Sequence, residues 1–217
     1  LILSNKLNHI AFIMDGNNRW SKKSSLSKYD GYKNGAKKLI SLTNFIFANT
    51  NVNFISAFAL SKNNLQRSSG VLKIIKKVLL ETLKDYDNKR INYDLFFIGD
   101  FNFLELNVKK KILSINKNNL FKKKLIIYLN YGGREDIQQA AKSNIKKKFE
   151  TNLLSNKFSD PDILIRTGGF KRISNFLLYQ LAFTEFFFLK KLWPDLLPRD
   201  IKKIINQFNE IERKFGK

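Results

Sequence analysis

Apolar segments of strand length alternate with segments of helical periodicity along this chain. Six short apolar runs have the length and composition of buried β-strands; they are Ile10–Met14, Phe54–Leu60, Leu95–Ile98, Leu125–Leu129, Ile163–Ile165 and Phe183–Leu189. Elsewhere apolar residues recur every three or four positions, as on one face of a helix; they are Leu39, Leu42 and Ile46, then Leu72, Ile75, Leu79, Leu83 and Tyr86, and finally Ile201, Ile204, Ile205, Phe208 and Ile211, where Pro198 begins the helix. The alternation predicts an α/β fold with a central, mostly parallel six-stranded sheet surrounded by helices.

Polar loops follow four of the predicted strands. In an open parallel sheet, ligands bind beyond the carboxyl ends of the strands. The loops at that edge would be Asp15–Arg19, Ser61–Arg67, Asn130–Arg134 and Arg166–Gly169. We therefore expect the functional site to be built from these four loops.

Length and composition are those of an ordinary globular chain. The 217 residues are 43% hydrophobic, and with no internal repeat or linker we expect one domain over residues 1–217. The chain has no cysteine, which excludes disulfides and thiolate metal sites. No apolar run reaches the roughly 18 residues of a membrane span, so we expect a cytoplasmic protein.

The formal net charge of +22 favours anionic partners such as nucleic acid, anionic lipid or phosphorylated substrates. The lysines are scattered, however, and no nucleic-acid recognition motif accompanies them. A basic nucleic-acid-binding domain is thus an alternative based on charge alone. Compositional drift over a solvated surface explains the same charge.

The segment Asp15–Trp20 combines residue types that suit a diphosphate. Glycine lets backbone N–H groups approach an anion, Arg19 can bind phosphate oxygens in bidentate fashion, and Asp15 suits a magnesium ion that bridges such oxygens. The alternative is an ordinary strand-to-helix turn. Since the segment lacks the Walker pattern, it does not indicate a nucleotide site.

Arg166, Arg172 and Ser174 form a second candidate anion site, unless they are merely a basic loop. Glu185 lies among aromatic residues, where a carboxylate is costly unless it is paired, metal-bound or directed outward from an edge strand. His9, the single histidine, has no nucleophilic partner that indicates a triad, which favours a structural role.

Several motifs in order resemble the cis-prenyltransferases, the undecaprenyl diphosphate synthase family. They are His9–Trp20 (HIAFIMDGNNRW), Leu129–Ile137 (LNYGGREDI), Asp160–Gly169 (DPDILIRTGG), Arg172–Gln180 (RISNFLLYQ) and Leu192–Asp195 (LWPD), with weaker matches at Phe97–Asp100 and Glu212–Gly216. The aspartate-rich metal motif of trans-prenyltransferases is absent from the sequence.

The resemblance implies a fold with a hydrophobic tunnel, usually a homodimer, and an Mg²⁺-dependent condensation of isopentenyl diphosphate with an allylic diphosphate such as farnesyl diphosphate. It implies catalytic roles for Asp15 and Asn64, and a metal site made by Asp15 and Glu185. Substrate binding is implied for Gly16, Asn17, Asn18, Arg19, Trp20, Lys28, Tyr32, Ser61, Lys62, Asn63, Leu65, Arg67, Arg166, Arg172, Ile173 and Ser174.

The chain also departs from the family pattern. Lys28 and Tyr32 replace an arginine and a histidine, and Phe170 replaces the glutamate after Arg-Thr-Gly-Gly. In the loop after the second strand, the usual Glu, Trp, Pro and Glu are replaced by Asn63, Leu65, Ser68 and Gly70. Because the phosphate and metal ligands survive, we expect an active, diverged enzyme; a non-catalytic partner subunit of a prenyltransferase is the alternative.

The implied product is too apolar to enter water unaided, since each buried CH₂ contributes roughly 0.8 kcal/mol. We therefore expect peripheral contact with anionic membrane, which the basic charge would favour.

Overall fold

A computed structural model describes residues 7–65, 69–87, 91–143 and 148–213 of the chain. Its strands are β1 His9–Ile13, β2 Phe54–Ser61, β3 Asp94–Gly99, β4 Lys124–Tyr131, β5 Ile163–Arg166 and β6 Glu185–Phe188. Its α-helices are α1 Asn17–Lys23, α2 Lys28–Asn49, α3 Lys62–Leu65, α4 Ser69–Asp87, α5 Leu106–Ile115, α6 Gly133–Lys142 and α7 Pro198–Asn209, with 3₁₀ turns at Phe149–Asn152 and Trp193–Asp195. The six predicted strands and the three predicted helical faces are confirmed, except that α7 ends before Ile211.

The six strands form one sheet in the order β3-β4-β2-β1-β5-β6, and every neighbouring pair is parallel. All five residues of β1 are buried. A strand in the middle of a parallel sheet is covered on both faces, which explains why its sequence is a continuous apolar run.

Alternate residues of the strands pack into two different cores. Ile10 and Phe12 of β1 join a large cluster with residues of α2, α4, α5 and α7, whereas Ala11 and Ile13 join a smaller cluster that includes Phe176. Since successive strand residues face opposite sides, the two clusters lie on the two faces of the sheet.

Local sequence signals fix where the helices begin. Ser27 caps α2, since its Oγ accepts from the Asp30 backbone N–H at 3.1 Å while the Asp30 carboxylate accepts from the Ser27 N–H at 3.2 Å. Pro198 occupies the first turn of α7. Within the described residues, no helix has the length and apolar character needed to cross a bilayer.

Candidate active site

A cavity of about 1090 Å³ opens at the carboxyl edge of the sheet, where the sequence predicts the functional site. The mouth is lined by polar and charged residues from the loops after β1, β2, β4 and β5. The interior is lined by apolar side chains of the strands, α2 and α4, including Leu39, Ile40, Ile75, Val78, Leu79, Ile127 and Leu129. The site therefore joins a charged entrance to an apolar interior.

Asp15, two residues after β1, is held in place by its backbone. Its carbonyl oxygen accepts from the Thr167 hydroxyl at 2.8 Å and from the Trp193 N–H at 3.0 Å. Trp193 is fully buried, and its indole N–H donates to the Gly35 carbonyl at 2.8 Å. The position of Asp15 is thus set by packing between β1, the loop after β5 and α2.

Arg166, the last residue of β5, is only 2% exposed. Its Nη2 lies 2.5 Å from Asp15 Oδ2, and its Nη1 donates to Ser174 Oγ at 2.8 Å and to the Arg172 carbonyl. A buried guanidinium requires such partners, because desolvation of an unpaired charge is costly. Among the described residues its Nε has no acceptor. Arg166 therefore supports both Asp15 and the 172–174 loop.

Gly168 allows the loop after β5 to approach Asp15 and Arg19 closely. Its φ is +84°, and an added Cβ would lie 2.4 Å from Arg19 Nη2 and 2.9 Å from Asp15 Cβ. The Arg19 Nη2 donates to the Gly168 carbonyl at 2.7 Å. A side chain at this position would therefore displace both charged residues.

Phe170 contacts three guanidinium groups. Its ring centroid lies 4.2 Å from the guanidinium carbon of Arg172, 5.3 Å from that of Arg19 and 5.7 Å from that of Arg166. Cations are attracted to the face of an aromatic ring. Phe170, which replaces the glutamate of the family motif, thus contacts all three arginines without neutralising their charge.

The charge balance at the mouth is positive. Of the described residues that border the cavity, Asp15 is the single acidic one, and it faces Arg19, Arg134, Arg166 and Arg172. This excess of positive charge suits a small polyanion such as a diphosphate.

The carboxylate of Asp15 fits a magnesium ion that takes its remaining ligands from water and substrate phosphate. The described residues contain no cluster of three His, Cys, Asp or Glu side chains able to hold a metal. Mg²⁺ commonly takes one or two carboxylates and fills the remaining positions with water and substrate phosphate. Asp15, whose side chain is 37% exposed, is available for that role.

Most of the predicted site residues border the cavity. Beyond Asp15, Arg19, Arg166 and Arg172, these are Gly16, Asn17, Asn18, Tyr32, Ser61, Asn63, Asn64, Ile173 and Ser174. Burial, together with the negative charge of Asp15, raises the pKa of Tyr32. The Asn64 N–H donates to Ser61 Oγ at 3.2 Å, which holds the start of α3 against the end of β2.

Three predicted residues, Trp20, Lys28 and Lys62, lie outside the cavity. The Trp20 indole N–H donates to Asp195 Oδ1 at 2.8 Å, outside the cavity. Lys28 is exposed at the start of α2, and Lys62 starts α3 without bordering the cavity. Leu65 ends α3, while Arg67, like residues 214–216 of the tail motif, is outside the described residues.

Glu185 is not brought to Asp15 within one chain. It begins β6 opposite Ile163, whereas Phe188 lies opposite Arg166. Three residues of strand separate those two levels, about 10 Å. The metal role implied for Glu185 therefore remains a prediction, and it is not met by the geometry of a single chain.

Two residues that border the cavity were not among the individually predicted site residues, although one of them lies in a predicted loop. Arg134 and Asn175 border the cavity, and the Arg134 N–H donates to Asn175 Oδ1 at 2.9 Å. A signal existed for Arg134, because the polar Asn130–Arg134 loop directly follows a buried strand. Asn175 has a φ of 63°, and its sequence neighbours give no sign of that conformation.

Comparisons with known proteins place these features in context. A family model described as putative undecaprenyl diphosphate synthase matches residues 13–216. An isoprenyl transferase of Rickettsia typhi is 38% identical over 224 residues, which cover 97% of this chain and 98% of that protein.

Two solved structures share the fold. The crystal structure of lavandulyl diphosphate synthase from Lavandula x intermedia, in complex with dimethylallyl diphosphate, has a TM-score of 0.85 and 27% identity, covering 98% of this chain and 99% of the other. That of a probable undecaprenyl diphosphate synthase from Campylobacter jejuni has a TM-score of 0.76 and 30% identity, covering 98% of this chain and 100% of the other.

Proposed function

Because the chain belongs to the cis-prenyltransferases, the family of undecaprenyl diphosphate synthase, we propose that it condenses isopentenyl diphosphate with an allylic diphosphate, such as farnesyl diphosphate, and repeats the addition to form a long-chain polyprenyl diphosphate. The observation that carries this proposal is the arginine-rich mouth that opens into an apolar cavity. Both substrates have an anionic head and a hydrocarbon tail, which match these two parts.

The two diphosphates would bind side by side. Arg19, with Gly16, Asn17 and Asn18, would hold the allylic diphosphate. Arg166, Arg172 and Ser174 would hold isopentenyl diphosphate. Arg19 and Arg172 both contact the ring of Phe170, so the two sets are within a short distance of each other. Adjacent heads would bring the two hydrocarbon ends together, which lowers the entropic cost of the reaction.

The reaction breaks the allylic C–O bond and forms a carbon–carbon bond with the electrons of the isopentenyl double bond, after which a proton is lost. Asp15 would hold Mg²⁺, which supplies neutralisation of the charge on the departing diphosphate. The arginines would stabilise the same charge. Asn64, an amide without basic character, would orient the isopentenyl group where its proton departs.

The apolar interior would receive the growing hydrocarbon chain and exclude water from the cationic allylic centre. We further propose that the chain forms a single domain and acts as a homodimer. The dimer would work in the cytoplasm and make peripheral contact with the membrane. Dimerisation would also decide whether Glu185 of another copy reaches the metal.

Incubation with labelled isopentenyl diphosphate, farnesyl diphosphate and Mg²⁺ tests the function. Label should pass into butanol-extractable products that lengthen with time, and chelation of the metal should stop it. Dimethylallyl and geranylgeranyl diphosphate should be tried as primers in parallel. If no primer is elongated although the protein binds diphosphate, the non-catalytic subunit becomes the better description.

A further inference from the structure

The outward side of α5 and the segment after it exposes large apolar residues. We call residues 106–124 the α5 surface. Leu106 is 67% exposed, Leu113 47%, Leu120 79% and Phe121 37%. Leu106 and Leu113 are two helical turns apart and share one side of α5, opposite the buried Val108, Ile112 and Ile115. Single exposed leucines are ordinary, but four large exposed apolar residues within one short segment indicate a surface for a partner.

Positive charge accompanies these apolar side chains. The α5 surface contains seven lysines and no acidic residue. Lys110 and Lys117 are exposed: Lys110 lies one turn after Leu106 on the same side of α5, and Lys117 lies in the turn that follows the helix. Apolar side chains flanked by lysines are characteristic of segments that lie in the interface of an anionic bilayer. Nucleic acid would use the lysines but offers little to exposed leucines.

A second cavity adjoins the cavity of the site. It has a volume of about 450 Å³ and lies between α2, α4 and the start of β3, where Tyr93 and Leu95 line it. It shares Ala36, Ile40, Val78 and Thr82 with the cavity of the site. The two cavities are therefore adjacent, and we call the path along them, from the charged mouth to the amino end of β3, the route. Its second part is also bordered by charged residues, namely Lys33, Lys37, Glu81 and Asp85.

The segment with Leu120 and Phe121 is fastened at the same end of β3. The Phe121 N–H donates to Asp94 Oδ2 at 3.0 Å, and Lys124 Nζ donates to the same oxygen at 2.6 Å. Asp94 directly follows Tyr93, which lines the second cavity. The exposed apolar tip of the α5 surface therefore lies beside the deep end of the route.

We propose that the α5 surface docks the protein on an anionic lipid bilayer, with Leu120 and Phe121 inserted among the head groups and the exposed Lys110, Lys117 and Lys122 facing lipid phosphates. Docking in this orientation sets the deep end of the second cavity against the bilayer, so the apolar tail of the product leaves into lipid without crossing water. This second part rests on the proposed function, whereas the docking does not.

Sedimentation with vesicles of phosphatidylglycerol and phosphatidylcholine tests the docking on the intact protein without substrates. The double variant Leu120→Gln/Phe121→Gln should bind at least about tenfold more weakly than the wild type, because the inserted groups are lost. Its matched control is Leu154→Gln/Phe183→Gln, which removes two exposed apolar side chains elsewhere and should change binding less than twofold.

The role of the lysines is tested with the double variant Lys110→Glu/Lys117→Glu. Its control is Lys202→Glu/Lys203→Glu on α7, a double variant of the same net charge. Only the first pair should lose vesicle binding, and thermal unfolding should show all variants folded. Equal loss in both lysine pairs, or no vesicle binding by the wild type, would overturn the proposal. So would binding to a soluble RNA that depends on Lys110 and Lys117 but not on Leu120 and Phe121.

Product exit is tested separately, by comparing single and multiple turnover with and without vesicles. The glutamine double variant should keep the single-turnover rate and lose the vesicle stimulation of later rounds. If no primer is elongated at all, the proposed function fails while the vesicle measurements still decide the docking.

Discussion

Asp15 and Arg166 form an ion pair in which Oδ2 and Nη2 are 2.5 Å apart, and the guanidinium is almost completely buried. The pair joins the loop after β1 to the end of β5. Because Arg166 has Asp15 and two groups of the 172–174 loop as partners, a change at either residue of the pair should alter both candidate diphosphate positions.

Replacement of Asp15 by Asn keeps an oxygen acceptor for Arg166 but removes the carboxylate charge. We expect kcat, measured by incorporation of labelled isopentenyl diphosphate, to fall by at least about 10²-fold, since a preorganised charge at the departing diphosphate is lost. Asp100→Asn is the control, because Asp100 is exposed and its carboxylate accepts from the nearby Asn102 N–H. If Asp15→Asn retains half of the wild-type rate, Asp15 is not part of the reaction.

Arg172 offers a cleaner test of the two diphosphate positions than Arg166, because it is exposed and its side chain does not hold Asp15. Arg172→Ala should raise the KM for isopentenyl diphosphate about tenfold, the effect of one charge-assisted hydrogen bond, and change the allylic KM less than twofold. Arg19→Ala should show the opposite preference. Lys171→Ala, a neighbouring cation that does not border the cavity, should leave both constants unchanged. Equal effects on the two substrates in both arginine variants would show that the sites are wrongly divided.

Phe170 should act as a positioning residue for the arginines. Phe170→Leu keeps an apolar side chain but removes the ring face, so we expect the KM for isopentenyl diphosphate to rise about threefold to fivefold, with kcat within about twofold. Phe170→Tyr retains the ring and should restore the wild-type KM. A tyrosine variant as impaired as the leucine variant would indicate that packing, not the ring face, is what matters.

His9 should make folding stability depend on pH. Its Nδ1 donates to the Ser159 carbonyl at 2.5 Å and its Nε2 accepts from the Ser56 hydroxyl at 2.8 Å, so the neutral ring satisfies both neighbours. Burial lowers the pKa of His9 from 6.5 to about 4, despite the opposing effects of the Ser159 hydrogen bond and the Asp162 charge. Between these values the unfolded chain binds the proton more strongly, so stability is lost as pH falls through this window.

Urea unfolding at neutral pH and at about pH 5 measures the effect. The contribution of His9 to the loss should be about 2 kcal/mol at about pH 5. His9→Asn keeps a donor for Ser159 without a titrating ring. Between the two pH values its free energy of unfolding should therefore fall by about 2 kcal/mol less than that of the wild type. An identical pH dependence in the variant would remove His9 as the cause.

The strands could be predicted from the sequence because each is centred on a short, mostly apolar run. Ile10–Met14 was predicted where His9–Ile13 is found, and the structure begins and ends the other strands within a few residues of the prediction. The charged loops were predicted for the same reason, since parallel strands bring their carboxyl ends to one edge.

The rest depends on chain geometry that composition does not encode. Whether Glu185 meets Asp15 is a matter of strand register, and one chain places them at different levels of the sheet. The contact of Phe170 with three arginines requires the 167–175 loop to fold back through left-handed residues such as Gly168 and Ser174. No local sequence pattern predicts that this loop folds back.

Gly168 and Gly169 share nearly the same backbone conformation, with φ of +84° and +85°, yet their surroundings differ. A Cβ at 169 would have no neighbour nearer than 4.0 Å, so asparagine, which tolerates this conformation, could replace that glycine. At 168 there is no room for even one carbon atom. The two adjacent codons should therefore evolve under very different constraint.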